Sequence, residues 1–316
     1  MKHVFIINPA AGPCDRTVQI KNAVENVFGP RGLDYELQVS RRPGDCTALA
    51  RAAAEDGQPV RLYACGGDGT LNEVINGAAD YENAAVTHYP AGSGNDFVKI
   101  FDQPEAFRDL ERLLDCEEAL FDLIQCTGGD RTCYAVNICS VGLDARIGTE
   151  IAVYRRLPLV SGKGAYLMST AVNVIKGIHR PYEIEICGKT VVGSQTLLCV
   201  CNGRYYGGSF NPVPDAEPDD GLLDVLLVKP VSRMKVAAVV GHYQKGRYAE
   251  FPELIRHYRT DRVRVRAEKN VVNVDGEAMF SDDITFSVAP CKLRFFYPSG
   301  LKYKSKVCKQ EEAAVI

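Results

Sequence analysis

Three glycine-rich turns in the first hundred residues hold the groups best suited to binding phosphate. They are residues 8–12 (NPAAG), 66–70 (GGDGT) and 91–96 (AGSGND), each after an apolar run and before a helical pattern. Glycine lets the backbone approach a phosphate closely, and free N–H groups at a helix N-terminus favour anions. If the preceding strands are parallel, their carboxyl ends meet at one edge of a sheet. Three such turns together therefore predict a polyphosphate site, whereas each alone would indicate only a tight turn.

The turn at 66–70 also carries a carboxylate. Asp68 would repel phosphates unless it orders Mg²⁺ or water, or accepts hydrogen bonds from backbone N–H groups. A helix N-cap is the alternative role for this residue. Thr70 and Asn72 can donate hydrogen bonds to phosphate oxygens. Neither GxxxxGK[ST] nor GxGxxG stands where it would be needed, so an ATP site in this chain would use a different cradle.

A second pair of carboxylates lies far along the chain, in residues 274–277 (VDGE). Phosphoryl transfer to an alcohol needs a carboxylate that accepts the hydroxyl proton as the bond to phosphorus forms. Asp275 and Glu277 are two residues apart and would share a face of an extended chain. One of them could be the base while the other positions it or a metal, and the sequence does not separate these roles. The alternative is an Asp-Gly hairpin turn with no catalytic function.

The elements that would position the three turns alternate between strand and helix through residue 122. Short apolar runs, or alternation at 33–39, predict strands, and apolar residues at helical spacing predict helices. Strands are predicted at 4–7, 33–39, 60–65 and 84–89, and helices at 15–28, 45–55 and 71–79. This order predicts a parallel sheet with helices on both faces, with all three turns at its carboxyl edge.

After residue 122 strand-like runs dominate. They lie at 133–140, 182–187, 195–202, 222–229, 261–267, 271–275, 284–289 and 292–297, with helical patterns near 165–178 and 232–244. This pattern predicts a mainly antiparallel β domain. We therefore expect an α/β domain at 1–122 and a β-rich domain at 123–295, with the segment 296–316 packing back on the first domain.

The composition is that of an ordinary globular protein, with 46% hydrophobic and 24% charged residues in a length suited to two domains. A formal net charge of −3 argues against a nucleic-acid-binding protein. The 12 cysteines form neither a CxxC pair nor a zinc-like spacing, and the apolar run at 4–7 is too short for a signal peptide. These features favour a reduced, cytoplasmic protein whose contact with a membrane would be peripheral.

The order and spacing of NPAAG, GGDGTLNEVING and PAGSGNDF resemble the diacylglycerol kinase catalytic domain, in particular bacterial soluble lipid kinases of this type. The resemblance continues through residues 141–145, 202–208, 214–224 and 273–277, and so covers nearly the whole chain. Sphingosine and ceramide kinases share these motifs, whereas NAD kinases and, loosely, phosphofructokinases share only GGDGT. The resemblance implies an α/β domain like that of NAD kinase and phosphofructokinase, followed by a β-sandwich.

The resemblance also implies an ATP site built from the three turns and from two serines at positions where the family commonly has threonine. The ATP contacts would be Asn8, Pro9, Ala10, Ala11, Gly12, Ser40, Gly66, Gly67, Asp68, Gly69, Thr70, Leu71, Asn72 and Ser93.

Two metal-related groups are implied as well. Glu217, Asp220 and the Leu222 carbonyl would hold a structural Mg²⁺, although the family often has Asp at the position of Glu217. An acidic, water-linked network would place the catalytic Mg²⁺; its members would be Asp68, Asp96 and Asp122.

By this resemblance the chain is expected to be an ATP-dependent lipid kinase that converts diacylglycerol into phosphatidic acid. Another lipid such as a sphingoid base, or NAD, is the alternative acceptor. The segment PDAEPDDGLLD and the β-rich half favour a lipid over NAD. A non-catalytic nucleotide sensor is a further interpretation, and the intact carboxylates of GGDGT and VDGE count against it.

Residues 232–269 are basic in a chain that is acidic overall, with ten Lys or Arg against four Asp or Glu. Arg262, Arg264 and Arg266 alternate with valines, so a strand would present all three on one face. An anionic bilayer attracts such clusters by about 1 kcal/mol per basic residue. This segment predicts peripheral docking to an anionic membrane, and a solvated strand face is the alternative. The sequence does not fix the oligomeric state and leaves a homodimer open.

Overall fold

The structure is a computed structural model that describes residues 1–143, 145, 146, 178–208 and 210–303. Its first part is a six-stranded sheet whose core strands are parallel, in the order β2-β1-β3-β4-β18-β5. The strands are β1 (Lys2–Ile7), β2 (Tyr35–Val39), β3 (Val60–Gly66), β4 (Ala84–Pro90), β5 (Cys116–Phe121) and β18 (Leu293–Pro298). Apolar runs predicted β1, β3 and β4 because parallel strands in the middle of a sheet are buried on both faces, whereas β2 was predicted from alternation and is half-buried throughout.

Four helices pack on this sheet: α1 (Thr17–Phe28), α2 (Asp45–Ala54), α3 (Asp68–Ala78) and α4 (Leu110–Leu114). Helix α3 begins three residues earlier than its apolar spacing predicted, directly after the extended Gly67. Asp68 is therefore the first helical residue, and the alternative that it is the N-cap is wrong. A Cβ atom at Gly77 would lie 2.3 Å from the Thr47 carbonyl oxygen, so α2 and α3 can pack this closely only around a glycine.

The last described strand, β18, returns to the first sheet and lies between β4 and β5. It runs parallel to β4 and antiparallel to β5, and its aromatic residues Phe295 and Phe296 are fully buried in the core of the first sheet. Its apolar pattern was predicted at 292–297, and the predicted domain boundary between residues 295 and 296 falls inside the strand. Strand β5 was not predicted, because only Phe121 among its residues is buried. Most of the segment 296–316 lies outside the described residues.

The second part of the chain contains two antiparallel six-stranded sheets. One has the order β10-β9-β14-β17-β6-β7 and the other β13-β12-β11-β8-β15-β16. The strands are β6 (Ile124–Gly128), β7 (Arg131–Ala135), β8 (Ile138–Gly142), β9 (Arg180–Ile186), β10 (Lys189–Gln195), β11 (Leu197–Cys201), β12 (Leu223–Val228), β13 (Ile255–Thr260), β14 (Arg262–Arg266), β15 (Val271–Val274), β16 (Glu277–Phe280) and β17 (Asp283–Val288).

The two antiparallel sheets share one core. Val263 and Phe286 from one sheet cluster with Val200 and Val225 from the other, and all four side chains are fully buried. The predicted β-sandwich is therefore present. Helix α5 (Arg233–Tyr243) confirms the helical pattern at 232–244, whereas the pattern at 165–178 lies outside the described residues except for Ile178. Within the described ranges, no helix is both long and apolar enough to cross a bilayer.

Several strands of the second part differ from their predicted bounds. The run 133–140 is two strands, β7 and β8, separated by a short break at residues 136 and 137. Strands β6, β10, β13 and β16 were not predicted, because each carries exposed or half-buried residues that interrupt an apolar run. The break between β7 and β8 contributes to the candidate functional site.

Candidate functional site

Two of the glycine turns touch each other through their backbones. The Gly66 carbonyl oxygen accepts hydrogen bonds from the N–H groups of Ala91 at 2.7 Å and Gly92 at 3.0 Å. The fully buried His88 places its Nε2 atom 2.9 Å from the same oxygen. A Cβ atom at Gly92 would lie 2.3 Å from the Gly67 Cα atom. Glycine is required here because two backbones occupy the space of a side chain.

The turn at 8–12 joins the same edge of the sheet. The Asn8 Nδ2 group donates to the Thr70 hydroxyl at 2.9 Å, and the Asn8 Oδ1 atom accepts from the Ala10 N–H at 3.0 Å. Gly12 has a positive φ of 77°, and a Cβ atom there would come within 2.5 Å of the Ala91 carbonyl oxygen. All three glycine turns are therefore in contact at the carboxyl ends of β1, β3 and β4.

Asp68 and Asp96 form the acidic part of this edge. The Asp68 carboxylate accepts a hydrogen bond from the Asp96 N–H. Burial raises the pKa of both carboxyl groups, and the charge of Asp68 raises the pKa of Asp96 further. Lys99 offsets this with an ion pair to Asp96 at 2.5 Å. The Asp96 carboxylate also accepts the Gly208 N–H at 2.8 Å, which ties the first sheet to the loop at 202–208.

Asp122 lies elsewhere in the described structure. Its fully buried carboxylate accepts the Gly221 N–H at 2.8 Å and forms an ion pair with Lys292. Among the described residues it forms no direct hydrogen bond with Asp68 or Asp96. Asp68 and Asp96 are thus directly bonded and Asp122 bonds to the loop at 217–222, while the water-linked network of all three stays a prediction.

The second carboxylate pair reaches the N-terminus of α3. The Glu277 Oε1 atom lies 3.8 Å from the position that a Cβ atom would occupy at Gly69, in the middle of GGDGT. The Asp275 Oδ2 atom lies 3.4 Å from the Asn72 Nδ2 atom on the same helix. Glu277 is exposed, and its carboxylate has no hydrogen-bond or ion-pair partner among the residues that the structure describes. The structure therefore brings the VDGE and GGDGT turns together.

Asp275 bonds to the backbone at the break between β7 and β8. Its carboxylate accepts the backbone N–H groups of Val136 at 2.7 Å, Ile138 at 2.8 Å and Asn137 at 3.2 Å, in addition to the Asn72 amide. Asp275 itself has a positive φ of 47°. Burial raises the pKa of this carboxyl to about 6, against the opposing effect of its hydrogen bonds. Four donors thus occupy a carboxylate that has about four lone-pair sites.

Two asparagines of α3 hold that helix against β7. The Asn76 side chain donates to the Tyr134 carbonyl at 2.8 Å and accepts the Tyr134 N–H at 2.8 Å. The Asn72 amide donates to the same carbonyl at 2.9 Å. The pairing of Asn76 with the Tyr134 backbone was not predicted from the sequence. The spacing of two asparagines four residues apart, on the polar face of α3, was the available signal.

Two of the predicted ATP contacts need correction. The Leu71 side chain is buried in the core of the first sheet, and its N–H bonds to the Gly67 carbonyl at 3.1 Å inside the helix. The prediction for Leu71 is therefore wrong. Asn72 is also buried, and its amide donors are directed at Tyr134 and Asp275. Asn72 positions protein groups in this structure and does not offer its amide to phosphate.

The other predicted ATP residues lie along the same edge. Ser40 directly follows β2 and is buried, with its N–H bonded to the Ile7 carbonyl at 2.9 Å. Ser93 is exposed in the third glycine turn, and Ala10 is exposed in the first. Pro9, Ala11 and the glycines of GGDGT remain predicted ATP contacts. None of them contributes a side chain to the hydrophobic core of the first sheet.

The residues predicted to hold a structural Mg²⁺ do not fit that role as arranged here. The buried Glu217 forms an ion pair with Arg204 at 3.0 Å, and Asp220 forms an ion pair with Arg259. Asp220 also accepts the Leu222 N–H at 2.9 Å. Each carboxylate therefore faces a guanidinium cation, which offsets the charge that would attract Mg²⁺. In the described part of the chain, no group of three or more ligand side chains could hold a metal ion.

The predicted basic face carries less charge than its sequence indicated. Arg262, Arg264 and Arg266 share one face of β14, but two of them are neutralised by neighbouring strands. Arg264 pairs with Asp283 at 2.5 Å, and Arg266 pairs with Glu185 at 2.8 Å. Only Arg262 remains exposed without an acidic partner among the described residues.

Both halves of the chain match known families. Residues 2–126 match the diacylglycerol kinase catalytic domain, and residues 137–297 match the YegS C-terminal NAD kinase beta sandwich-like domain. A Staphylococcus carnosus (strain TM300) protein named "Putative lipid kinase" is 24% identical over 84% of this chain and 86% of its own length.

Solved structures share the fold over almost the full length. A diacylglycerol kinase from Bacillus anthracis str. Sterne has a TM-score of 0.65 at 19% identity, covering 94% of this chain and 97% of that one. A second structure from the same organism, described as "a putative diacylglycerol kinase", has a TM-score of 0.71 at 22% identity, covering 94% and 95%.

Proposed function

Because the chain belongs to the family of diacylglycerol-kinase-type lipid kinases, we propose that it transfers the γ-phosphoryl group of MgATP to the hydroxyl of diacylglycerol, giving phosphatidic acid and ADP. The observation that carries this proposal is the position of Glu277, whose carboxylate has no hydrogen-bond or ion-pair partner among the described residues, beside the edge that the glycine turns form. Its Oε1 atom lies 3.8 Å from the place where a Cβ atom at Gly69 would stand, in the first turn of α3. The first sheet, which could bind ATP, thus meets the β-sandwich, which could bind the acceptor.

ATP is proposed to bind at the edge formed by the three glycine turns. The first N–H groups of α3 have no partner within the helix, so they can donate to phosphate oxygens. The Thr70 hydroxyl and the exposed turn at 8–12 extend this set of donors along the edge. Close backbone packing at Gly67 and Gly92 fixes the turns before ATP arrives. Such preorganisation stabilises phosphoryl transfer because catalysis here depends on positioning and charge neutralisation.

Glu277 is proposed to be the base, and Asp275 to be a positioning residue. A base needs a free lone pair within reach of the hydroxyl proton. The four donors on Asp275 leave it none, whereas Glu277 keeps both oxygens available. As the lipid oxygen bonds to the γ-phosphorus, its proton passes to Glu277 and the bond to the ADP oxygen breaks. Asp275 holds the backbone around residues 136–138 against α3 and so fixes where Glu277 lies.

The negative charge of the carboxylates at the site affects which acceptor can bind beside ATP. Asp68 is the first residue of α3, and Glu277 lies beside that end of the helix. ATP already brings negative charge to these carboxylates; an uncharged acceptor such as diacylglycerol adds none, whereas NAD would add its diphosphate. A sphingoid base carries an ammonium group that acidic residues attract, so it is the acceptor to test beside diacylglycerol.

Radiolabelled ATP offered with diacylglycerol, sphingosine, NAD or no acceptor tests the proposal. We expect labelled product with diacylglycerol in detergent micelles, and none with NAD. The Glu277→Gln protein, purified identically, controls for a contaminating kinase. Label in NAD would contradict the acceptor class. ATP binding without label in any acceptor would instead support a nucleotide sensor.

A further inference from the structure

The side chain of Asn76 takes the place of a neighbouring strand beside β7. Strand β7 is the terminal strand of its sheet, so one of its edges faces no other strand of that sheet. The Asn76 Nδ2 group donates to the Tyr134 carbonyl at 2.8 Å, and the Asn76 Oδ1 atom accepts the Tyr134 N–H at 2.8 Å. One amide thus pairs with both backbone groups of a single residue, as a residue of an antiparallel strand does. This pairing fixes β7 against α3.

A short series of contacts leads from β7 to the carboxylate of Glu277. Two residues after Tyr134, the backbone N–H groups of residues 136–138 begin to bond to the Asp275 carboxylate. Asp275 shares the VDGE turn with Glu277, whose Oε1 atom lies 3.8 Å from the place where a Cβ atom at Gly69 would stand. The series therefore begins and ends on α3. A shift of β7 along this helix would move Glu277 relative to Gly69.

Asn76 itself lies away from the proposed phosphate edge. It is seven residues after Gly69, which corresponds to about 10 Å along an α-helix. Its amide is also occupied by protein groups, because it donates to the Asn72 carbonyl at 2.9 Å in addition to its two bonds with Tyr134. Any contribution of Asn76 to the reaction must therefore act through other residues.

We propose that Asn76 is a positioning residue that holds Glu277 within reach of the acceptor hydroxyl, through β7 and Asp275. This inference rests on the proposed kinase function and adds a residue of the first part of the chain to the positioning of the base. A displacement of about 1 Å can cost about 100-fold in the rate of a reaction that depends on geometry. Loss of the pairing should therefore lower kcat and leave the affinity for ATP unchanged.

The test compares Asn76→Ala and Asn76→Leu with a matched asparagine. Leu fills much of the space of Asn but forms no hydrogen bond, so it separates pairing from packing. Asn83 is half-buried like Asn76, and its amide donates to the Ala54 carbonyl at 2.9 Å and to the Gln58 carbonyl at 2.8 Å, both in the first part of the chain. Asn83→Ala therefore removes a comparable pair of bonds elsewhere. For each protein we would measure kcat and KM with diacylglycerol, the Kd for ATP, and unfolding in urea.

We expect both Asn76 variants to lower kcat about tenfold or more, while the Kd for ATP stays within about twofold of the wild type. Their loss of stability should resemble that of Asn83→Ala, which should keep the wild-type kcat. A double-mutant cycle with Glu277→Gln tests whether Asn76 acts through the base. Since Glu277→Gln already lacks the base, adding Asn76→Ala should lower its residual rate by less than about twofold.

Several results would overturn the inference. A wild-type kcat in Asn76→Leu would show that packing, not pairing, matters at this position. An equal loss of rate from Asn76→Ala with and without Glu277→Gln would show that Asn76 does not act through the base. Wild-type protein that phosphorylates no lipid would refute the proposed function and this inference with it, whereas an active wild type beside fully active Asn76 variants refutes the inference alone.

Discussion

Acidification should lower the stability of the fold through His88, which lies beside the glycine turn at 66–70. His88 is fully buried, and its Nε2–H donates to the Gly66 carbonyl at 2.9 Å. Burial lowers the pKa of His88 from 6.5 to about 4. In the unfolded chain the same imidazole binds a proton near pH 6.5. Stability contributed by the neutral histidine is therefore complete above pH 6.5 and is lost as the pH falls from 6.5 towards 4.

The size of the effect follows from the shift in pKa. The lowering of the His88 pKa from 6.5 to about 4 corresponds to about 3 kcal/mol of unfolding free energy. His3 is buried too, and burial likewise lowers its pKa to about 4, so two histidines contribute in this window. Asp275 acts in the opposite sense, because its pKa of about 6 lets the folded state hold a proton that the unfolded chain releases. Comparing the wild type with a variant at His88 removes the contributions of His3 and Asp275, which both proteins share.

Urea unfolding at several pH values between 4 and 7 isolates the His88 contribution. A Gln residue at position 88 keeps an N–H donor for Gly66 but has no group that titrates here. We expect His88→Gln to lose up to about 3 kcal/mol less than the wild type between pH 7 and pH 4. The exposed His179 provides the control, and His179→Gln should follow the wild-type curve. Parallel curves for wild type and His88→Gln would refute the reasoning.

Two further predictions concern the glycine contact and the basic face. Gly92→Ala places a Cβ atom 2.3 Å from the Gly67 Cα atom, so calorimetry should show an unfolding free energy lower by about 1–3 kcal/mol and a loss of ATP binding. Gly241→Ala in α5, with open space around it, should be neutral or stabilising, and equal effects of the two changes would contradict the packing argument. If β14 docks to anionic membranes, Arg262→Glu should weaken binding to phosphatidylserine vesicles by at least about fivefold, while Lys189→Glu should not. Unchanged vesicle binding by Arg262→Glu would contradict the proposal that β14 docks to anionic membranes.

The sequence predicted the parallel sheet because its evidence is local. Strands β1, β3 and β4 are mostly buried apolar runs, and each is followed by one of the three glycine-rich turns. The predicted domain boundary cuts β18 in two, because an apolar strand pattern is the same in either domain. The approach of Glu277 to the first turn of α3 joins residues about two hundred positions apart, which only the resemblance to a family could predict.

The roles of charged and polar side chains were the hardest to foresee. Two carboxylates separated by one glycine look equivalent in VDGE, yet backbone donors from the break between β7 and β8 surround only Asp275. Those donors exist because residues 136 and 137 leave the strand, and no pattern in the sequence marks this break. The arginines of β14 looked free because their acidic partners, such as Glu185 and Asp283, come from strands distant in sequence.

Lipid phosphorylation by Glu277→Gln and Asp275→Asn, measured with ATP affinity on the same samples, tests the central claim most directly. We predict that Glu277→Gln binds ATP as the wild type does but forms almost no phosphatidic acid, while Glu25→Gln on α1 is fully active. Asp275→Asn should retain measurable transfer with reduced stability, because an amide cannot accept all four hydrogen bonds. An active Glu277→Gln protein beside an inactive, fully stable Asp275→Asn protein would contradict the assignment.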